Sequence, residues 1–408
     1  MDIFISELKR QMRAKRVISY ILISIILGGL WAWFIIGGRT EGFMMTGCYK
    51  GLKGMEAIKA AAKDRNVYSG KMTVDNFLRS GEAFLNSVEG KDDESHIIMN
   101  DELLKLVVYA DTLIMQDYRL KRMFGDDNLE TWFPRDFGSY FYENENLYYQ
   151  NLIDINTKNQ AEKELALKMW NEVEKPYTYF GGFEVWRDGV EHIQLFGFVL
   201  LIMVGFFSSG IIAKDKECGL DEIISTTTGG RRKLLSAKLF IPVIMGLLIY
   251  TVGMGTYIGI LKHYLPIDAL ETSIQVCGGS TVLPYNLGNL MDKMVILGII
   301  GILTISTFTT FVSSKVNKAS TSMSIIVLVI ISGFLLSVMG VLNSNPTMRG
   351  MSLIVPGSLV FAGVRFDIVQ IVTVFGKAIL SFKFHLFISI LIFFISFIMT
   401  SWNYVRGR

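Results

Sequence analysis

Long apolar runs bounded by polar or charged positions recur six times along this chain: Val17–Gly38, Ile193–Ala213, Leu239–Leu261, Met294–Ser314, Ala319–Leu342 and Phe384–Tyr404. A hydrocarbon layer of about 30 Å is crossed by about 20 helical residues, and a central charge costs about 2.5 to 3.5 kcal/mol on insertion scales. Five runs contain no Asp, Glu, Lys, Arg or His, and the sixth contains only His385 at its edge. The pattern predicts a mainly α, polytopic membrane protein with about six transmembrane helices.

Between the first two runs the apolar positions change to the spacing of amphipathic helices. Residues 39–192 predict one large, mostly helical extracellular domain, long enough to bury a core of its own. Asn100 is placed to cap a helix over Asp101–Met123, and Thr157 to cap another over Lys158–Glu174, stopped before Pro176. Trp132, Phe133, Phe137, Tyr140, Phe141, Tyr142, Tyr148 and Tyr149 crowd its second half. Their packing suits a core or a membrane-facing surface better than a ligand cage.

Between the fifth and sixth runs, residues 350–376 hold two apolar pieces too short to cross, Met351–Val364 and Ile368–Gly376, with Pro356 in the first and Arg365 and Asp367 between them. The reading is a re-entrant hairpin, with a surface segment packed on the extracellular domain as the alternative.

Charge then orients the spans. The net charge of +3 conceals an acidic part, Arg39–Glu191, with 27 acidic and 19 basic residues, and a remainder with 21 basic and 10 acidic ones. Lys9, Arg10, Arg13, Lys15 and Arg16 precede the first span, and six crossings put Lys214–Lys238, Lys315 with Lys318, and Arg406 with Arg408 on the same side. The positive-inside rule makes that side cytoplasmic, with both termini there. Within residues 1–16, Met1, Phe4, Ile5, Leu8 and Met12 share a helical face, as in an amphipathic leader lying among lipid headgroups. Residues 17–38 lack an A-x-A exit and are longer than a usual signal-peptide core, so they read as an uncleaved anchor. Basic residues that flank apolar runs, instead of forming one continuous surface, exclude a nucleic-acid footprint and fit lipid contact.

The chemistry is sparse. Cys48, Cys218 and Cys277 show no CxxC spacing, so neither a zinc site nor a disulfide framework is indicated, and a Cys48–Cys277 bridge is left open. No GxxxxGK[ST], HExxH or GxSxG pattern occurs, so no catalytic, metal or cofactor site is expected, and ATP hydrolysis is not expected in this chain. Ion-coupled carriers usually hold an ionisable group within the membrane, whereas these spans offer only hydroxyls such as Thr304, Ser306, Thr307, Thr309 and Thr310. Any transport must draw its energy from a partner.

The one sizeable cytoplasmic connection is residues 214–238 within the segment 193–408. It reads KDKECGLDEIISTTTGGRRKLLSAK, with Leu220, Ile223 and Ile224 on one helical face, a break at Gly229–Gly230 and a basic helix start. Here the chain resembles the ABC-2 type permeases, the membrane subunits of bacterial ABC exporters. Their loop after the second span carries a glutamate, a glycine, an apolar stretch, a small-residue turn, an arginine, and a lysine entering the next span. Glu217, Gly219, Ile223 with Ile224, Thr228–Gly229, Arg231 or Arg232, and Lys238 fit those places. The span order and the hairpin before the last helix are similar more loosely, as is the stretch Tyr179–Trp186.

The resemblance implies a bacterial plasma-membrane permease that works with separate ABC ATPase subunits and a second permease copy or relative, contacting the ATPase through this loop. The long segment between the first two spans departs from the simplest members, and the substrate class, whether peptide, lipid or drug-like compound, does not carry over. The rival reading is a receptor or accessory protein whose extracellular domain binds a peptide without transport. A membrane-embedded enzyme would need polar groups clustered at one depth, and none stands out.

Overall fold

The computed structural model describes residues 2–38, 49–89, 96–97, 100–125, 134–226, 230–342, 345–366 and 369–406. Six of its helices are long and apolar enough to cross a membrane. Span 1 is Ala14–Gly37, a helix α2 (Ala14–Trp33) closed by a π-turn over Phe34–Gly38. Spans 2 to 6 are α8 (Phe183–Ser209), α11 (Gly230–Tyr264), α12 (Leu287–Lys315), α13 (Ala319–Leu342) and α15 (Ser381–Arg406). Most of these helices outrun their apolar stretches, because charged residues end hydropathy without ending helicity. Span 2 begins at Phe183, well before Ile193, and carries Arg187, Asp188 and Glu191 on its first turns.

Spans 1 and 3 approach until backbone meets backbone. A Cβ at Gly28 would lie 2.7 Å from the Gly253 carbonyl oxygen, whereas at Gly29 the nearest atom would be 3.9 Å away. Small residues let membrane helices approach this closely. Gly28→Ala is expected to cost about 1 to 3 kcal/mol through overpacking, read as a lowered melting temperature in lipid nanodiscs, with Gly29→Ala close to parent.

The inserted domain holds α3 (Gly54–Arg65), α4 (Val74–Asn86), α5 (Asp101–Met123), α6 (Phe141–Asn156) and α7 (Gln160–Asn171). Asn100 caps α5 by accepting from the Leu103 amide at 2.8 Å. The next cap is Asn159, which accepts from Glu162 N at 3.0 Å, not Thr157, which closes α6 instead. Phe77 stacks on Phe141 at 3.8 Å between centroids and Tyr149 on Trp170 at 4.0 Å, so these rings build the core. Tyr140 is exposed, while Trp132 and Phe133 lie outside the described residues, as does Cys48 of the possible Cys48–Cys277 bridge.

The domain is bound to the spans, not merely tethered. Strands β1 (Gly70–Lys71) and β4 (Thr178–Tyr179) pair antiparallel, and the Thr178 and Phe180 amides reach the hydroxyls of Ser273 and Thr272 beyond span 3. Trp186 donates its indole N–H to the Pro266 carbonyl at 2.7 Å, and Arg65 pairs with Glu184 at the head of span 2. One hydrophobic core runs from the domain into the bundle. A second small ribbon, β2 (Val88–Glu89) with β3 (His96–Ile97), closes α4.

Residues 346–380 divide. After the short helix α14 (Pro346–Ser352), a 3-10 helix over Ser358–Arg365 is buried among spans 2, 4, 5 and 6, with Val360 seated against Gly197 and Gly301. The second apolar piece is instead a β-ribbon, β5 (Ile371–Val374) paired with β6 (Lys377–Leu380). Its turn, Phe375–Gly376, has φ of 49° and 77°, the left-handed pair that matches strand twist in a two-residue hairpin. The ribbon packs on α7, where Thr373 Oγ1 donates to Glu162 at 2.7 Å. The first half is therefore buried in the bundle, and the second packs on the inserted domain.

Candidate functional site

At the end of the bundle away from the inserted domain, the chain leaves span 2 through a hydroxyl clasp. Ser313 of span 4 accepts from the Ile212 and Ala213 amides at 3.2 and 2.9 Å, and donates to the Ser209 carbonyl at 2.7 Å. This satisfies amide groups that the helix end leaves open and starts α9 (Ala213–Glu217) at a fixed angle. Gly219, with φ of +70°, supplies the left-handed turn, and α10 (Leu220–Thr226) follows. Two short helices thus precede span 3, with residues 227–229 outside the described set.

Four charges meet beneath these helices. Lys238, wholly buried in span 3, donates to the Ile211 carbonyl at 2.7 Å, to Asp215 of α9, and to Glu7 of the leader helix α1 (Asp2–Gln11) at 2.8 Å. Arg10 bridges the same carboxylates, at 2.6 Å to Glu7 and 2.9 Å to Asp215, while Gln11 adds a bond to Glu7 at 3.0 Å. Two cations and two carboxylates close a neutral cycle through three elements, which lets charge sit in a dry place. Burial alone would push the Glu7 carboxyl up, but the Arg10 hydrogen bond and Lys238 outweigh it and hold it at about 2. Glu7 in turn raises the Arg10 guanidinium.

The loop residues singled out by sequence fall into separate places. Glu217 accepts from the Ala319 amide at 3.1 Å, putting its charge at the N-terminus of span 5, where the helix dipole favours an anion. Arg231 forms a forked pair with Asp221 at 2.6 and 3.3 Å, joining α10 to the start of span 3. Ile223 is 64% exposed, Leu220 is also exposed, Ile224 is half-buried and Arg232 is exposed. Lys238 belongs to the buried cycle. Lys216 donates to the Ser314 carbonyl at 2.6 Å, adding a second tie to span 4.

Sequence reading missed Glu7, Arg10, Asp215, Asp221 and Ser313 as structural partners. One signal was available: Glu7 is the sole acid among the basic residues Lys9–Arg16 and the leader positions before them other than Asp2, and Asp215 lies between Lys214 and Lys216. Isolated acids in basic surroundings mark candidates for buried pairing. The leader carries a lipid-facing appearance in its sequence, yet Glu7 is bonded inward and Leu8 and Met12 pack against the bundle core.

Mechanically, the loop helices are fastened to the leader and to spans 3, 4 and 5, while an apolar and basic face remains outward. Among the described residues, no group of three His, Cys, Asp or Glu could hold a metal ion. No family model, curated protein or solved structure matches the chain.

Proposed function

We propose that this chain is the membrane subunit of an ATP-driven bacterial exporter, working with separate ABC ATPase subunits and a second permease copy or relative in the plasma membrane. The observation that carries the reading is the mounting of α10: Leu220, Ile223 and Arg232 face outward, while Glu217, Lys216, Arg231 and Lys238 tie the surrounding segment to the spans. A force applied to such a surface moves spans 3, 4 and 5 with it, because the ties are charge-assisted and partly buried. The resemblance of this loop to that of ABC-2 permeases supplies the partner's identity.

The fold also selects the variants that test the reading. Reversing Glu217 or Arg231 would remove the span 5 cap or the Asp221 pair, confusing docking with folding. Ile223→Glu combined with Arg232→Glu alters only outward positions. Co-purification with a candidate ATPase subunit should fall about tenfold or more, the equivalent of about 1.4 kcal/mol or more, with the melting temperature unchanged. If the parent chain recruits no ATPase, or the double variant recruits it equally, the exporter reading fails and the receptor reading replaces it.

A further inference from the structure

The two ends of the bundle balance charge differently. Where the leader meets span 3, two cations face two carboxylates. At the end that bears the inserted domain, Arg365 closes the buried 3-10 helix, 4% exposed, with no carboxylate paired to it among the described residues. Its guanidinium ties the two limbs of the fold between spans 5 and 6: one terminal nitrogen donates to Ser352 Oγ, at the end of α14, at 2.5 Å, and the other reaches Ser381 Oγ, at the start of span 6, at 3.5 Å. Both partners are neutral hydroxyls. Nε is shielded from solvent and donates to nothing, so the fork keeps more N–H donors than these two oxygens accept.

The charge that acts on Arg365 is another cation, Arg349 of α14. Arg349 donates from Nε to the Gly340 carbonyl at 2.8 Å, and its terminal nitrogens bond to nothing among the described residues. His385, one turn into span 6, lies 2.9 Å from Ser358 Oγ and adds no negative charge. Cations at membrane depth pair with an anion or face water, because an uncompensated buried charge is costly. Arg349 is half-buried, which leaves the corner approachable from the side of α14. Beside it on the same segment Met351 and Ile354 are 50% and 63% exposed, an apolar surface that suits an acyl chain. A planar carboxylate fills one guanidinium fork, whereas a phosphate presents oxygens in several directions and can serve two.

We propose that Arg349 and Arg365 bind a net-negative phosphate group entering from the side of α14, carried by a lipid whose chains lie along Met351 and Ile354. This goes beyond the exporter reading and stands or falls without it, since binding requires no ATPase. Free phosphate offers the same headgroup chemistry, and the test separates the two sources.

The full chain in dodecyl maltoside micelles is titrated with dioctanoyl phosphatidylglycerol, with its phosphatidylcholine counterpart and with inorganic phosphate. Bound lipid is counted by native mass spectrometry, and the melting temperature is followed in parallel. Saturable binding of one phosphatidylglycerol is expected, at least about tenfold tighter than phosphatidylcholine, with Arg349→Gln weakening it about tenfold, the scale of one charge-assisted contact. Lys383→Gln, at an exposed basic position near the start of span 6, should bind like the parent. Arg365→Gln should lose the rise in melting temperature that phosphatidylglycerol gives the parent; should that chain not fold, Arg349→Gln carries the test alone. Excess inorganic phosphate should leave the lipid bound, whereas displacement of the lipid together with a rise in melting temperature from phosphate alone would assign the site to a free anion. Equal binding of the two lipids, no saturable binding, a folded Arg349→Gln chain that binds like the parent, or a Lys383→Gln chain weakened as much as Arg349→Gln would overturn the proposal.

Discussion

Lys238→Met is expected to free the leader helix and to cost about 3 to 5 kcal/mol, the loss typical when one member of a buried ion pair is removed. The ammonium is wholly buried and is shared by Glu7 and Asp215, themselves 6% and 3% exposed. Without it the cycle keeps two carboxylates and only Arg10, so a net negative charge remains where water cannot screen it. Relief comes from rotating Glu7 outward, which pulls α1 from its seat on span 3. The measurement is the melting temperature in nanodiscs together with tryptic cleavage after Lys9 and Arg13, slow in the parent and fast in the variant. Glu7→Gln in the same chain should restore much of the loss, since Arg10 then balances Asp215 alone. A double variant no better than the single one would show that Lys238 acts by packing, not by charge.

The same cycle sets an acid limit. Glu7 has its carboxyl lowered from 4.5 to about 2 in the folded chain, so its contribution is complete above about pH 4.5 and fades as pH falls toward 2. Glu7→Gln should remove that part of the acid sensitivity and leave other carboxylates to act.

What was legible in the sequence follows from how each feature is encoded. Six spans are written as contiguous apolar runs, because the bilayer tests each helix locally, and all six correspond to helices long and apolar enough to cross. The Asn100 cap is local too, a side chain reaching an amide three residues on. Thr157 was assigned a cap that Asn159 makes, since both carry acceptors two positions apart and only backbone direction separates them. The β-ribbon over Ile371–Leu380 was hidden because neither Ile-Val-Thr-Val nor Lys-Ala-Ile-Leu alternates apolar with polar positions, and its Phe375–Gly376 turn lacks the usual Asn or Asp. The charge cycle was least legible: Glu7, Asp215 and Lys238 are brought together by helix packing between distant segments, and no periodicity records which acid meets which base. The loop motif pointed to Lys238 as a residue entering span 3, and no local pattern recorded that it stands there wholly buried.

Impermeant thiol labelling should divide the molecule all or none. Basic residues concentrate at the end that bears the charge cycle: Arg10 reaches Asp215, Arg16 donates to the Phe207 carbonyl and covers its ring at 4.4 Å, and Lys216 reaches the end of span 4. Lysine and arginine flanking spans are retained on the cytoplasmic side, while the inserted domain is joined to the opposite ends of spans 2 and 3. The chain supplies its own reporter for that end in the exposed Cys218, just before the Gly219 turn. With Cys48→Ser and Cys277→Ser, Cys218 should stay unlabelled in intact cells and react once the membrane is permeabilised. Adding Cys218→Ser and Lys158→Cys places the thiol at an exposed position beside α7, where labelling should be complete in intact cells. The contrast does not depend on substrate, ATPase or stability, because each reporter is compared with itself before and after permeabilisation. Labelling of Cys218 in intact cells would invert the orientation. It would put α10 beyond reach of any cytoplasmic ATPase and remove the basis of the exporter reading.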